Sequence, residues 1–189
     1  MEFSNGSSRK SILRRLADTF TLFRVAVGFP IIISLHQGYF QFAWVLILFG
    51  GLSDIADGYL ARAAGGGTVW GARLDPLADK ILLSAPLLWL ASNSVIPIWS
   101  IWFLISRELI ITSWRSYAKG GGKASIEGKV KTILQFTSVL MLIWPDKWGE
   151  IDVTLTIQKL GWYLFWLSIL MAFYSAARYI IPRSSSDPN

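Results

Sequence analysis

Six stretches of this chain are apolar over most of their length, and each is close to what a membrane-crossing helix requires. They cover about 20–35, 40–59, 75–91, 96–117, 130–144 and 153–181. A helix needs about 20 predominantly apolar residues to cross a bilayer. The pattern therefore predicts an all-α fold, an integral membrane bundle of six transmembrane helices. Pro30 is expected to kink the first, while Pro145 and Pro182 end the fifth and sixth. Hydrophobic residues make up 53% and charged residues 16% of the 189. That balance, with a mean hydropathy of +0.46, excludes an ordinary soluble domain. The chain has no cysteine, so neither disulfides nor thiol chemistry is available to it.

Charge in the connecting loops gives an orientation. Residues 36–41 and 92–97 contain no Lys or Arg, and 145–152 holds one Lys against three acids. The opposite helix ends carry Arg62, Arg73, Lys119, Lys123, Lys129, Lys131, Arg178 and Arg183. Basic loops stay on the cytoplasmic side, so both termini are expected there, in a plasma (inner) membrane crossed several times. The net charge of +6 belongs to these loops and does not indicate a nucleic-acid partner. Residues 1–8 are expected to be disordered, as are 183–189, leaving 9–182 as one membrane domain. Arg9, Lys10, Arg14 and Arg15, interleaved with Ile12, Leu13 and Leu16, predict a short N-terminal amphipathic helix on the membrane surface.

The chemistry concentrates between residues 54 and 79, DIADGYLARAAGGGTVWGARLDPLAD. Asp54 and Asp57 are three apart and Asp75 and Asp79 four apart, so each pair shares one helix face. Gly65, Gly66 and Gly67 between them break the helix. The expected geometry is two helices, each ending in a pair of carboxylates, with the pairs facing one another. For one aspartate, a helix cap is the simpler reading, and Asp75-Pro76 is an ordinary cap sequence. Four at helical spacing beside apolar segments are costly without a function. Clustered carboxylates repel unless cations or protons neutralise them. Oxygen donors without Cys or a nearby His suit Mg²⁺ or Mn²⁺ rather than zinc.

Read at Asp54, Asp57, Gly58, Ala61, Arg62, Gly71, Asp75 and Asp79, the spacing is D-x2-D-G-x2-A-R-x8-G-x3-D-x3-D. This resembles the signature of the CDP-alcohol phosphatidyltransferases, and the six segments extend the resemblance over nearly the whole chain. The resemblance implies an enzyme with two divalent metals, Mg²⁺ or Mn²⁺, and a homodimer. It implies that Asp54, Asp57, Asp75 and Asp79 ligate the metals at the diphosphate of a CDP-linked lipid. Asp79 would also be the catalytic general base on the acceptor hydroxyl. Gly58 and Ala61 would leave room for the cytidine, Arg62 would contact the nucleotide, and Gly71 would permit close helix approach.

A basic constellation follows. Arg107 and Arg115 lie eight residues apart inside the fourth segment, and Lys129 and Lys131 open the fifth. Positive-inside anchoring explains Lys119 and Lys123, but it accounts poorly for arginines within an apolar helix. An inward basic cluster implies an anionic acceptor, and arginine suits phosphate. Ser106-Arg107-Glu108, Arg115, Gly128-Lys129-x-Lys131-Thr132-x2-Gln135 and the earlier Thr21-x2-Arg24 resemble one branch of that family. Its members transfer phosphatidyl from CDP-diacylglycerol to sn-glycerol 3-phosphate, giving phosphatidylglycerophosphate and CMP. Asp18 departs from that branch, which has Asn there. Glu108 is open between pairing with Arg107 and with Arg24.

The nearest rivals are members using another acceptor, such as phosphatidylglycerol in a cardiolipin synthase or an inositol phosphate. Membrane prenyltransferases also use aspartates and Mg²⁺, but from two motifs far apart in sequence. A cation transporter would show polar breaks or inverted repeats at the bilayer midplane. Here the charges gather at one end of the helices.

Overall fold

The computed structural model describes residues 3–66, 69–117 and 126–180. Within them the chain is all-helical: α1 (Phe3–His36), α2 (Phe40–Ala63), α3 (Val69–Ser92), α4 (Ile98–Tyr117), α5 (Ile126–Leu142) and α6 (Ile151–Ile180). One 3₁₀ turn, Asp146–Trp148, precedes α6. α1 packs along both α2 and α3, α5 and α6 form a hairpin, and α4 touches α3 on one side and α6 on the other. Ile31, Ile47, Leu90, Val139 and Phe165 meet in the core with little or no exposure.

The outer faces are apolar. Phe29, Ile55, Trp102, Ile133, Tyr163 and Leu170 are all exposed, which in water would be a severe liability and in lipid is ordinary. Among the described residues, three helices contain segments long and apolar enough to cross a membrane, Ile12–His36, Phe40–Leu60 and Ile151–Arg178. The other three carry Asp79 and Lys80, Arg107 and Glu108, and Lys131, which lowers their hydropathy.

The short connections follow from their residues. α1 ends on Gly38, at φ +78°, with Tyr39 N donating to Ser34 O and Gly38 N to Leu35 O. This pairing satisfies the last carbonyls of a helix and asks for a left-handed residue, which glycine adopts freely. Ser94 does the same after α3, at φ +59°, with Val95 N donating to Leu90 O. Gly65, at φ +76°, ends α2 at the aspartate side, where its N–H donates to Arg62 O.

Two boundaries differ from expectation. α1 is continuous from Phe3 and runs through Pro30, so the basic stretch forms the first turns of that helix and not a separate surface element. α3 begins six residues before Asp75, which places Asp75 and Pro76 inside the helix and removes the cap reading of Asp75. A proline there forfeits one backbone hydrogen bond, which the turns on either side outweigh. Residues 181–189 lie outside the described residues.

Gly161 shows how closely the α5–α6 hairpin is built. A Cβ placed on it would lie 2.8 Å from Met141 Cβ and 3.0 Å from the Leu142 backbone nitrogen. Backbone cannot yield as a side-chain tip can, so Gly161→Val is expected to force the two helices apart at a cost of about 2–3 kcal/mol. Thermal unfolding in detergent checks this. Gly149→Ala is the control, because a Cβ there meets only Val153, at 3.9 Å.

Candidate active site

The centre of the site is a cation, and it comes from α1. The Arg24 guanidinium has no solvent exposure. Its Nη1 donates to Asp54 Oδ1 at 2.6 Å and also to Asp79 Oδ1, and its Nη2 donates to Asp57 Oδ2 at 2.6 Å. Carboxylates from α2 and α3 thus converge on one side chain of α1. The fork of an arginine, with several donors in one plane, is the group that can serve three acceptors at once. One turn earlier, Thr21 Oγ1 donates to Ala17 O at 3.3 Å and stands 3.5 Å from Asp57 Oδ2.

The cluster has a floor and a rim. Arg24, Thr21 and Asp57 are buried, while the Asp54 and Asp79 side chains are 45% and 41% exposed. Among the described side chains, three carboxylates surround one guanidinium. Counted over these four side chains alone the charge is negative, and the Asp54 and Asp79 carboxylates are the exposed edges of the group. Hard oxygen donors with a charge excess are the donor set a divalent cation prefers. Among the described residues no three acidic, His or Cys side chains already form a cage around a common point. Arg24 lies between the carboxylates instead.

The expected nucleotide face is only partly described. A Cβ on Gly58 would lie 3.4 Å from Arg62 Nη1, so the Arg62 guanidinium folds back over the bare backbone of Gly58, and Arg62 itself is exposed. The loop after α2 is tied to α1 by Arg14 Nε, which donates to Gly66 O at 3.0 Å. The backbones of Gly71, Asp75 and Arg115 belong to α3 and α4. The side chains of Ala61, Asp75 and Arg115, and the surroundings of Gly71, lie outside the described residues, as do Gly67, Lys119 and Lys123.

A second cluster sits beside the first. Arg107 Nη1 donates to Glu108 Oε1 at 2.6 Å, Lys131 Nζ donates to the same oxygen, and Lys80 Nζ is 3.9 Å from Glu108 Oε2. Glu108 therefore pairs with Arg107, and Arg24 is occupied by the aspartates. Arg107 also donates from Nε to Ala172 O and from Nη2 to Ser175 Oγ, both at 3.1 Å, which pins α4 against α6. Lys131 is buried, and Lys129 is exposed. Two residues apart on a helix, they point about 200° from one another, so the structure does not bring Lys129 into this cluster. Asp79 and Lys80 are neighbours on α3, about 100° apart around its axis, and so join the two clusters.

Sequence reasoning missed the part played by Arg24 and Lys80. A lone arginine in an apolar segment demands a partner, and that signal pointed to Arg24. Lys80 carried no signal beyond its place next to Asp79.

The chain is similar in sequence to named proteins. A CDP-diacylglycerol–glycerol-3-phosphate 3-phosphatidyltransferase of Yersinia enterocolitica is 30% identical over 179 aligned residues, covering 85% of this chain and 90% of that protein. The protein of the same name from Wigglesworthia glossinidia brevipalpis is 33% identical over 176 residues, 84% of this chain and 92% of that one. Its namesake from Bacillus subtilis is 38% identical over 102 residues, 52% of this chain and 53% of that one. The sequence model described as CDP-alcohol phosphatidyltransferase matches residues 14–174, which include both clusters, and the chain belongs to that family.

Proposed function

We propose that the chain transfers the phosphatidyl group of CDP-diacylglycerol to sn-glycerol 3-phosphate, releasing CMP and forming phosphatidylglycerophosphate, a step of phospholipid biosynthesis. The observation that carries this is the joining of an acidic and a basic cluster through Asp79 and Lys80. One cluster suits the metal-bound diphosphate of a liponucleotide, the other a phosphorylated acceptor. The names of the relatives supply the same pair of substrates.

In this reading the acceptor hydroxyl attacks the lipid-side phosphorus, the bond to the CMP oxygen breaks, and Asp79 takes the hydroxyl proton. The Asp79 carboxylate is partly exposed at the rim, where an acceptor can approach it, and proton uptake there requires its bond to Arg24 to loosen. Asp54, Asp57, Asp75 and Asp79 would hold two divalent metals, Mg²⁺ or Mn²⁺, with Asp57 at the buried end. Such a pair, when bound, stabilises both the attacking and the leaving oxygens of a phosphoryl displacement. Gly58, Ala61, Arg62 and Gly71 would form the nucleotide side. Arg107, Arg115 and Lys131 would form the acceptor side, with Lys129 left as a surface charge.

The topology we assign has six spans, with both termini and the aspartate end facing the cytoplasm from the plasma (inner) membrane. It rests on the loop charges. A homodimer is assigned from the family resemblance.

The test is CMP release from CDP-diacylglycerol by purified protein in detergent, with Mg²⁺ or Mn²⁺ and one acceptor at a time. Release with glycerol 3-phosphate is expected. Release only with phosphatidylglycerol or an inositol phosphate would overturn the acceptor, and no release with any acceptor would overturn the transferase reading.

A further inference from the structure

The end of the bundle away from the aspartates holds a cavity of about 360 Å³, walled by Phe40, Trp89, Leu155 and Trp162, with Asp146 and Lys159 also in its lining. Phe40 is the first residue of α2. It precedes Asp54 by fourteen residues, about 21 Å along that helix. Leu155 and Trp162 belong to the first half of α6. The cavity shares no residue with the acidic or the basic cluster, and none of its lining enters the transfer reaction proposed above.

Its size falls within the range of about 300–1,000 Å³ typical of ligand sites, and its chemistry narrows the occupant. The walls are aromatic and aliphatic, which favours hydrocarbon over water. They stand near the helix ends, where tryptophan meets the interface of a bilayer. The lining also carries one charge of each sign. Asp146 sits in the 3₁₀ turn before α6, and Lys159 on α6 itself. Both are exposed, and neither forms an ion pair among the described residues.

We propose that this cavity binds a zwitterionic phospholipid. Its phosphate lies on Lys159, its ammonium on Asp146, and an acyl chain along Phe40 and Leu155. Trp144 and Trp162, both in the lining, add aromatic faces that attract an ammonium. The site does not depend on the transfer reaction. Only its leaflet, the outer one, rests on the topology assigned above.

Charge selects this lipid over the others. A neutral diacylglycerol fills the slot and leaves both charges without partners. An anionic lipid satisfies Lys159 but brings a second negative charge towards Asp146. A headgroup with a phosphate and an ammonium satisfies both and adds no net charge. The lipid also has a structural consequence. The lining comes from α2, α3, the end of α5 and α6, so an occupant fills the seam between the α5–α6 hairpin and the α2–α3 pair. Binding to the folded state should raise the melting temperature.

The test uses full-length protein, delipidated in detergent and titrated with dioleoyl phosphatidylethanolamine, phosphatidylglycerol or diacylglycerol. Bound lipid is counted by native mass spectrometry. Wild type, Asp146→Asn and Lys159→Met are compared for each lipid, so that lipid held elsewhere on the protein cancels. Both residues are exposed, and the melting temperature without lipid should match wild type in either variant. The Kd for phosphatidylethanolamine should rise about three- to fivefold in each. Phosphatidylglycerol should bind Asp146→Asn at least as tightly as wild type, because the repelling carboxylate is gone, and diacylglycerol should be indifferent to both changes. Unchanged phosphatidylethanolamine binding in either variant overturns the proposal. An equal loss of all three lipids would leave an apolar slot without headgroup recognition and overturns it too. So does a lipid-free dimer that Lys159→Met breaks into monomers, which would give the cavity to a second copy of the chain.

Discussion

Asp79→Asn is expected to lower CMP release from CDP-diacylglycerol by about 10³-fold or more, while CDP-lipid binding stays within several-fold of wild type. The substitution keeps size and shape and removes the ability to accept a proton, and a positioned base contributes about 10²–10⁴-fold. Binding persists because Asp54 and Asp57 remain on α2, and because Arg24 keeps both of its bonds to them. The measurement pairs single-turnover CMP release with equilibrium binding of CDP-diacylglycerol in detergent. Near-normal turnover would remove Asp79 from the base role. A parallel collapse of binding would make it a ligand without a base function. Asp57→Asn is the comparison: Asp57 is buried on Arg24, so it should lose stability as well as turnover, and the two aspartates are thereby told apart.

The helices and the aspartates were legible because their signals are local. Apolar runs of spanning length and i, i+3 or i, i+4 carboxylates are written in consecutive residues, and Gly38 and Gly65 mark helix ends where left-handed backbone is required. What could not be read were partners distant in sequence. Arg24 meets Asp79 across 55 positions, and Lys131 meets Glu108 across 23. No periodicity within one segment encodes which helices touch. The start of α3 was misread for a different reason. Asp-Pro is a common helix opening, but here the helix begins earlier and absorbs the proline. Lys129 was grouped with Lys131 on charge and on the pattern Gly128-Lys129-x-Lys131-Thr132, while helical geometry turns residues two apart to opposite faces.

Removing the Arg24 guanidinium should cost more than any other single change in the described bundle. Arg24→Gln leaves Asp57 buried without its cation and brings Asp54, Asp57 and Asp79 into mutual repulsion. Breaking a buried ion pair from one side typically costs about 3–5 kcal/mol, and here three carboxylates lose the same partner. The expected result is a large drop in melting temperature in detergent, of the order of 10 °C or more for a domain of this size. Arg24→Lys should fall between the two, because an ammonium is a point charge that cannot bridge acceptors on two helices as a planar fork does. Divalent cation provides the decisive comparison. If the negative excess around Arg24 is a cation site, Mg²⁺ should raise the melting temperature of Arg24→Gln by more than that of wild type, since it then substitutes for the missing charge. Equal stability of Arg24→Gln and wild type without Mg²⁺ would mean that the carboxylates are not held by Arg24. A stability loss with no differential Mg²⁺ response would keep Arg24 as the structural centre of the site and remove the carboxylates from the role of metal ligands.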